Sequence, residues 1–169
     1  MDEKINLTKK FKLVDMWEVD ISTLEKPIIC TVALASCVGI LLYNIEQKRA
    51  IVAHSTSDWE PIKYRILELM VQNNFGDSMV KYKVIRGFYP DNDMVAEKFE
   101  KIFNSLKPMF VPFNEEEIPE DGIRKNNILG SFEFAFDTSS GKFVTDKVLF
   151  GEEYFKIYPK ENEISMKRR

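Results

Sequence analysis

The sequence predicts an α+β domain in which mixed, mostly antiparallel β-sheets pack together and are flanked by two main helices. Three observations carry that expectation. The block from Ile28 to His54 is rich in β-branched and aliphatic residues interrupted by short polar groups, as in buried strands. Residues 59–74 and 94–106 place apolar side chains at helical spacing. In the second half, Ser131 to Phe136 and Lys142 to Leu149 read as two strands joined by Asp137-Thr138-Ser139-Ser140-Gly141.

A chain of 169 residues, 44% of them hydrophobic, suits one domain over residues 1–169, with 158–169 as a frayed tail. Its 13 Phe, 6 Tyr and 2 Trp supply enough apolar area to offset the entropy of ordering the chain. Twenty-seven acidic against 24 basic residues give a net charge of -3, which excludes a broad basic footprint for nucleic acid. A protein or small-molecule partner is expected instead. The run Lys167-Arg168-Arg169 reads as a solvated terminus.

No stretch has the length of a membrane helix, and Met1-Asp2-Glu3-Lys4 opens no apolar leader, so membrane insertion is not expected and a cytoplasmic location is. Delivery into another cell is compatible with the same features. In a reducing compartment Cys30 and Cys37 are expected as thiols. One His and two Cys are too few for a conventional structural zinc site, and no metal or organic cofactor is expected.

Taken in order, Phe11 to Val19 reads as a strand and Ile28 to Leu34 as a second. Val38 to Tyr43 and Ala50 to His54 form a hairpin around the polar group Asn44 to Arg49. Both faces of these strands are apolar, which predicts a sheet covered on both sides. Ser55-Thr56-Ser57-Asp58 and Pro61 predict the capped start of a helix over 59–74, with Gly76 at its exit. Met79 to Arg86 alternates like a strand. Pro90-Asp91-Asn92-Asp93 predicts the cap of a helix over 94–106, and the rest of a calcium-loop pattern is absent there. Met109 to Phe113 reads as a short strand and Asn114 to Asn127 as an exposed loop.

The hairpin carries the chemistry. If Tyr43 faces Lys48 across a four-residue loop, Cys37 faces His54 directly, with Cβ atoms roughly 4.5–5.5 Å apart. An imidazole at that distance can take the thiol proton and leave a nucleophilic thiolate. The imidazolium can then protonate a departing amine, and water can hydrolyse the resulting thioester. Ala35 and Ser36 precede Cys37 at a sharp turn whose amides are candidates for holding an oxyanion. Ser36 and Ser55, adjacent to the pair, are the candidate oxyanion or substrate contacts. Against this stands the ordinary behaviour of free cysteine, which packs as a small hydrophobe. Cys30 faces no such histidine on this register and is expected in the core.

Thr31-Val32-Ala33-Leu34-Ala35-Ser36-Cys37-Val38, followed by His54 seventeen residues after Cys37, resembles the CheD chemoreceptor glutamine deamidases. The resemblance covers Ile28 to His54, and more loosely Ile128-Leu129-Gly130-Ser131 through Gly141-Lys142-Phe143. It implies a CheD-like fold, with Thr31, Cys37 and His54 as a catalytic set hydrolysing the carboxamide of a protein glutamine. Ala35 stands where that family has glycine, and Ser55-Thr56-Ser57-Asp58 replaces its apolar segment after the histidine. Arg86-Gly87-Phe88-Tyr89-Pro90-Asp91 is similar to a segment of the protein N-terminal asparagine amidohydrolases, which implies the same reaction class on a different substrate. Two further readings remain open: a binding module on the same fold with an inert Cys37, and acyl transfer to an amine in place of water.

Overall fold

Two β-sheets, each of five strands among the described residues, stack face to face in the computed structural model, which describes residues 11–126 and 130–145. The first contains β1 (Phe11–Leu13), β3 (Ile28–Leu34), β8 (Ile123–Asn126), β9 (Ser131–Asp137) and β10 (Lys142–Phe143). β3 lies between β1, to which it runs parallel, and β9, to which it runs antiparallel; β8 and β10 share the other edge of β9. The second sheet has the order β2 (Val19–Ile21), β5 (Arg49–Ser55), β4 (Val38–Asn44), β6 (Val80–Ile85), β7 (Phe110–Pro112). Helices α1 (Glu60–Gln72) and α2 (Asp93–Ser105) complete an α+β architecture with mixed, mostly antiparallel sheets.

Strand alternation sorts the side chains of the central hairpin into two cores. Ile40, Leu42, Ile51 and Ala53 point outward and are covered by Ile62, Ile66 and Leu69 of α1 and Phe99 and Phe103 of α2. Leu41, Tyr43, Ala50 and Val52 point inward, against Ile29 and Leu34 of β3, Phe134 and Phe136 of β9, and Phe143. Every residue of β4 is buried, as its two-sided apolar sequence predicts for a covered strand. Cys30 faces away from this inner core and joins a third cluster with Phe11, Ile28 and Ala135, so the two thiols lie on opposite faces of the first sheet.

Several expectations need correction. The segment 11–19 is two three-residue strands in different sheets, joined by a crossing that carries the chain from one layer to the other. β3 precedes the hairpin but lies in the other sheet, and its pairing with β9 shifts register between Thr31 and Leu34, with Ala33 at φ 58°. Neither helix has its expected side-chain cap: Trp59 and Asn92 hold the N-cap positions without a capping hydrogen bond. α1 ends at Gln72, and Asn74 at φ 49° makes the left-handed exit expected of Gly76. Asn114 to Asn127 is not all loop, since Glu115–Glu117 form a 3-10 turn and Ile123–Asn126 form β8. The strand expected over 142–149 is observed for Lys142–Phe143; residues 146–149 and the tail 158–169 lie outside the described residues.

The hairpin has the expected four-residue loop, placed one residue further along. Asn44 faces Arg49, Lys48 takes φ 50°, and the Asn44 side chain accepts the Gln47 amide at 2.9 Å to close the turn. Gly39 is therefore the residue directly opposite His54. A Cβ on Gly39 would meet Leu34 Cδ1 at 2.8 Å and a Phe134 ring carbon at 3.3 Å. Gly39→Val should lower stability by about 1–3 kcal/mol, read as a reduced urea midpoint at unchanged slope.

Candidate active site

The site forms at one end of the inner core, where side chains from both sheets meet. His54 is the penultimate residue of β5; Thr31 lies at the last regular pair of β3 and β9 before the irregularity. Cys37 is the last residue of the turn that carries the chain from β3 to β4. The three are at most 4% exposed.

Thr31 Oγ1 lies 2.7 Å from the carbonyl oxygen of Val14 and 2.9 Å from His54 Nδ1. A hydroxyl has one hydrogen, and a carbonyl can only accept, so Thr31 donates to Val14 and accepts from His54. The imidazole is thereby fixed as the tautomer with hydrogen on Nδ1 and a lone pair on Nε2. That Nε2 is buried and has no hydrogen-bond partner among the described residues. A buried nitrogen without a partner is costly, and one in the basic tautomer is suited to receive a proton from an incoming group.

The segment between β1 and β2 wraps the histidine. Trp17 donates its amide hydrogen to the His54 carbonyl at 2.9 Å, and the His54 amide donates to Glu18 at 3.0 Å. Trp17 has φ 66°, unusual for a bulky side chain, and its indole N–H donates to Thr56 Oγ1 at 3.1 Å. Burial pushes the His54 pKa down to about 4, partly offset by the carboxylate of Asp15. Burial also raises the Cys37 pKa, while the Ser36 hydroxyl pulls it partly back. Both groups are therefore neutral at pH 7, a thiol and an imidazole rather than a thiolate–imidazolium pair.

Cys37 and His54 share the inward face, as expected, but they are not directly opposite. With Val38 facing Ser55, Cys37 is a diagonal neighbour of His54, a relation that usually spans roughly 7–8 Å with somewhat less between Cβ atoms. The register differs from expectation by two residues, an even number, so the face is preserved while the pairing is not. Thr31 joins the histidine through its hydroxyl. Ser36 belongs to the site's turn. Ser55, by contrast, follows Ile51 and Ala53 in the strand alternation, on the opposite face from His54, and its hydroxyl donates to the Thr56 carbonyl at 3.1 Å. It is not part of the site.

Sequence reasoning missed the 14–18 segment, because its contributions are mostly backbone groups that any residue supplies. It also missed Gly87 and Asn92 as neighbours of Cys37. A Cβ on Gly87 would lie 2.4 Å from the Ala35 oxygen and 2.5 Å from the Cys37 oxygen, and the Asn92 side-chain amide donates to the Ser36 carbonyl. Among the described residues there is no cluster of ligating side chains that would hold a metal ion, and no helix is long and apolar enough to cross a membrane.

The depressed His54 pKa has a consequence for stability. A neutral buried ring favours the fold fully above its ordinary value of 6.5, and that contribution is lost as pH falls from 6.5 toward about 4. The loss should reach about 3 kcal/mol at its limit. Urea midpoints at pH 7 and pH 4.5 should therefore converge in His54→Gln relative to the parent chain. No protein-family model matches this chain, and no curated protein matches it significantly.

Proposed function

We propose that the chain is a cysteine-dependent protein deamidase that hydrolyses the side-chain carboxamide of a protein glutamine, with Cys37 as nucleophile, His54 as base and Thr31 as the residue that orients the base. The observation that carries this reading is the unpartnered, buried Nε2 of His54, held in its basic tautomer by Thr31 on the face it shares with Cys37. The Thr31, Cys37 and His54 spacing that resembles the CheD deamidases adds the reaction class and the glutamine. No metal or organic cofactor takes part.

His54 Nε2 takes the thiol proton as Cys37 Sγ attacks the carboxamide carbon. Charge collects on the carbonyl oxygen of the tetrahedral intermediate. The imidazolium gives its proton to the amide nitrogen, the C–N bond breaks, and ammonia leaves behind a Cys37 thioester. Water then gives a proton to Nε2 and attacks the thioester, the C–S bond breaks, and the thiol is restored with a carboxylate as product. Because both residues rest neutral, the proton moves only once substrate brings the sulfur and the ring together. Burial makes the imidazolium unfavourable on its own. The developing negative charge on substrate and the carboxylate of Asp15 offset that cost.

A non-catalytic binding module is the second reading, and the raised Cys37 pKa favours it, since an isolated buried thiol is inert. Ammonia release from candidate proteins, with mass spectrometry locating the residue converted to a carboxylate, separates the two and also distinguishes internal glutamine from N-terminal asparagine. Cys37→Ala should abolish release, and His54→Gln should lower it by about 10²–10⁴-fold. Full activity in Cys37→Ala would sink the proposal. Amine incorporation in place of ammonia loss into a carboxylate would mark acyl transfer instead.

Thr31→Val removes the acceptor that fixes the imidazole and the donor that satisfies Val14. It should cost about 1–3 kcal/mol of stability from the groups left unpaired. It should also lower kcat about tenfold or more with KM little changed, because the wrong tautomer becomes accessible.

A further inference from the structure

Asn92 occupies the N-cap of α2, where its residue type predicts a cap, yet its side chain makes no capping hydrogen bond. It donates instead to the carbonyl of Ser36. The two preceding carbonyls of the same turn are held by the same segment: Phe88 donates its amide hydrogen to Leu34 at 3.1 Å and Tyr89 donates to Ala35 at 2.9 Å. Three consecutive carbonyls ahead of Cys37 thus point at residues 88–92.

Gly87 allows that approach, since any side chain there would collide with the backbone oxygens of Ala35 and Cys37. Arg86 anchors the segment to α2, donating to the Asp93 carbonyl at 3.2 Å and pairing with Glu100 at 3.0 Å.

In a planar trans peptide the N–H points opposite to the C=O of the same unit. The Ala35 carbonyl shares its peptide with the Ser36 amide, and the Ser36 carbonyl shares its peptide with the Cys37 amide. Holding those two oxygens against Tyr89 and Asn92 directs both N–H groups to the other side of the turn. Neither amide has a backbone acceptor outside the strand ladders among the described residues, whereas the Ala35 amide is closed onto Ala33 at 2.8 Å.

We propose that the strap from Gly87 to Asn92 sets an oxyanion hole formed by the Ser36 and Cys37 amides, with Asn92 as its positioning residue. This rests on the proposed role of Cys37 as nucleophile. Attack by Sγ places the new oxyanion beside the nucleophile's own amide, and two backbone donors fixed in advance stabilise that charge without reorganising. Asn92 touches no reacting atom. It acts by locking the Ser36–Cys37 peptide plane.

The test compares two reactions of Cys37 in a Cys30→Ala background. p-Nitrophenyl acetate acylates the thiol through an oxyanion, forming the S–C bond as p-nitrophenolate leaves. Iodoacetamide alkylates it by displacement of iodide, with no oxyanion. Asn92→Leu keeps the approximate size of the side chain but removes its donor without adding charge beside the thiol. It should slow acylation about tenfold or more while leaving alkylation within about twofold.

Gly87→Ala, which displaces the Ala35 carbonyl and with it the Ser36 amide of the same peptide, should show the same selective loss. Equal slowing of both reactions, or no change in either, would overturn the inference and leave Cys37 as nucleophile intact. If the unmodified site takes neither reagent while the urea-unfolded chain takes both, the proposed function falls and this inference with it.

Discussion

The buried hydrogen bond between Thr31 and His54 joins the two sheets through polar side chains as well as through packing. One partner comes from β3 in the first sheet and the other from β5 in the second, so the sheets must keep their separation and register for the bond to form. The Val14 carbonyl completes the chain of donors and gives the threonine hydroxyl no freedom of direction. A buried imidazole needs such a fixed acceptor, because either nitrogen would otherwise compete for the hydrogen. Much of the surrounding backbone serves this end. The 14–18 crossing supplies the Val14 oxygen and clasps the His54 peptide on both sides through Trp17 and Glu18. Beyond the register shift, β3 stays paired with β9 as far as Leu34, and the turn of residues 35–37 then brings Cys37 to the start of β4 in the other sheet.

Burial sets the electrical character of the site. With the thiol pushed up and the imidazole pushed down, the resting state holds no charge on either reacting group. A neutral pair is cheap to bury and keeps its state around neutral pH, whereas an ion pair in the same place would need several further hydrogen bonds to offset desolvation. For the proposed function the cost is that reactivity would be conditional. On the proposed function, such a site would discriminate by geometry, since only a group that enters the sandwich end and accepts developing charge would make proton transfer favourable.

How far the sequence discloses this arrangement depends on which forces place each part. The sorting of β4 and β5 into two faces follows from side-chain alternation, so the shared face of Cys37 and His54 was legible. Their pairing was not, because the position of the loop depends on Asn44 closing the turn through its side chain, and a polar run offers several such frames. The helices were legible from their apolar spacing. Their caps were misread, since Ser55 to Asp58 and Asn92 are residues whose side chains satisfy backbone groups wherever the tertiary structure brings them, and here those groups lie elsewhere. The 14–18 crossing left no pattern at all, because its work is done by peptide groups.

The second sheet separates its helical layer from the candidate site. α1 packs on the outward side chains of β5, Ile51 and Ala53 among its contacts, while His54 projects to the other side of the same strand. One strand thus belongs to two environments with no shared side chains. Drift in the residues that α1 presents to solvent, such as Tyr64, Leu67 and Val71, can alter what the molecule meets outside without disturbing the proton chain within. A protein built this way can change its outer flank without altering the hydrogen bonds of the candidate site on the other.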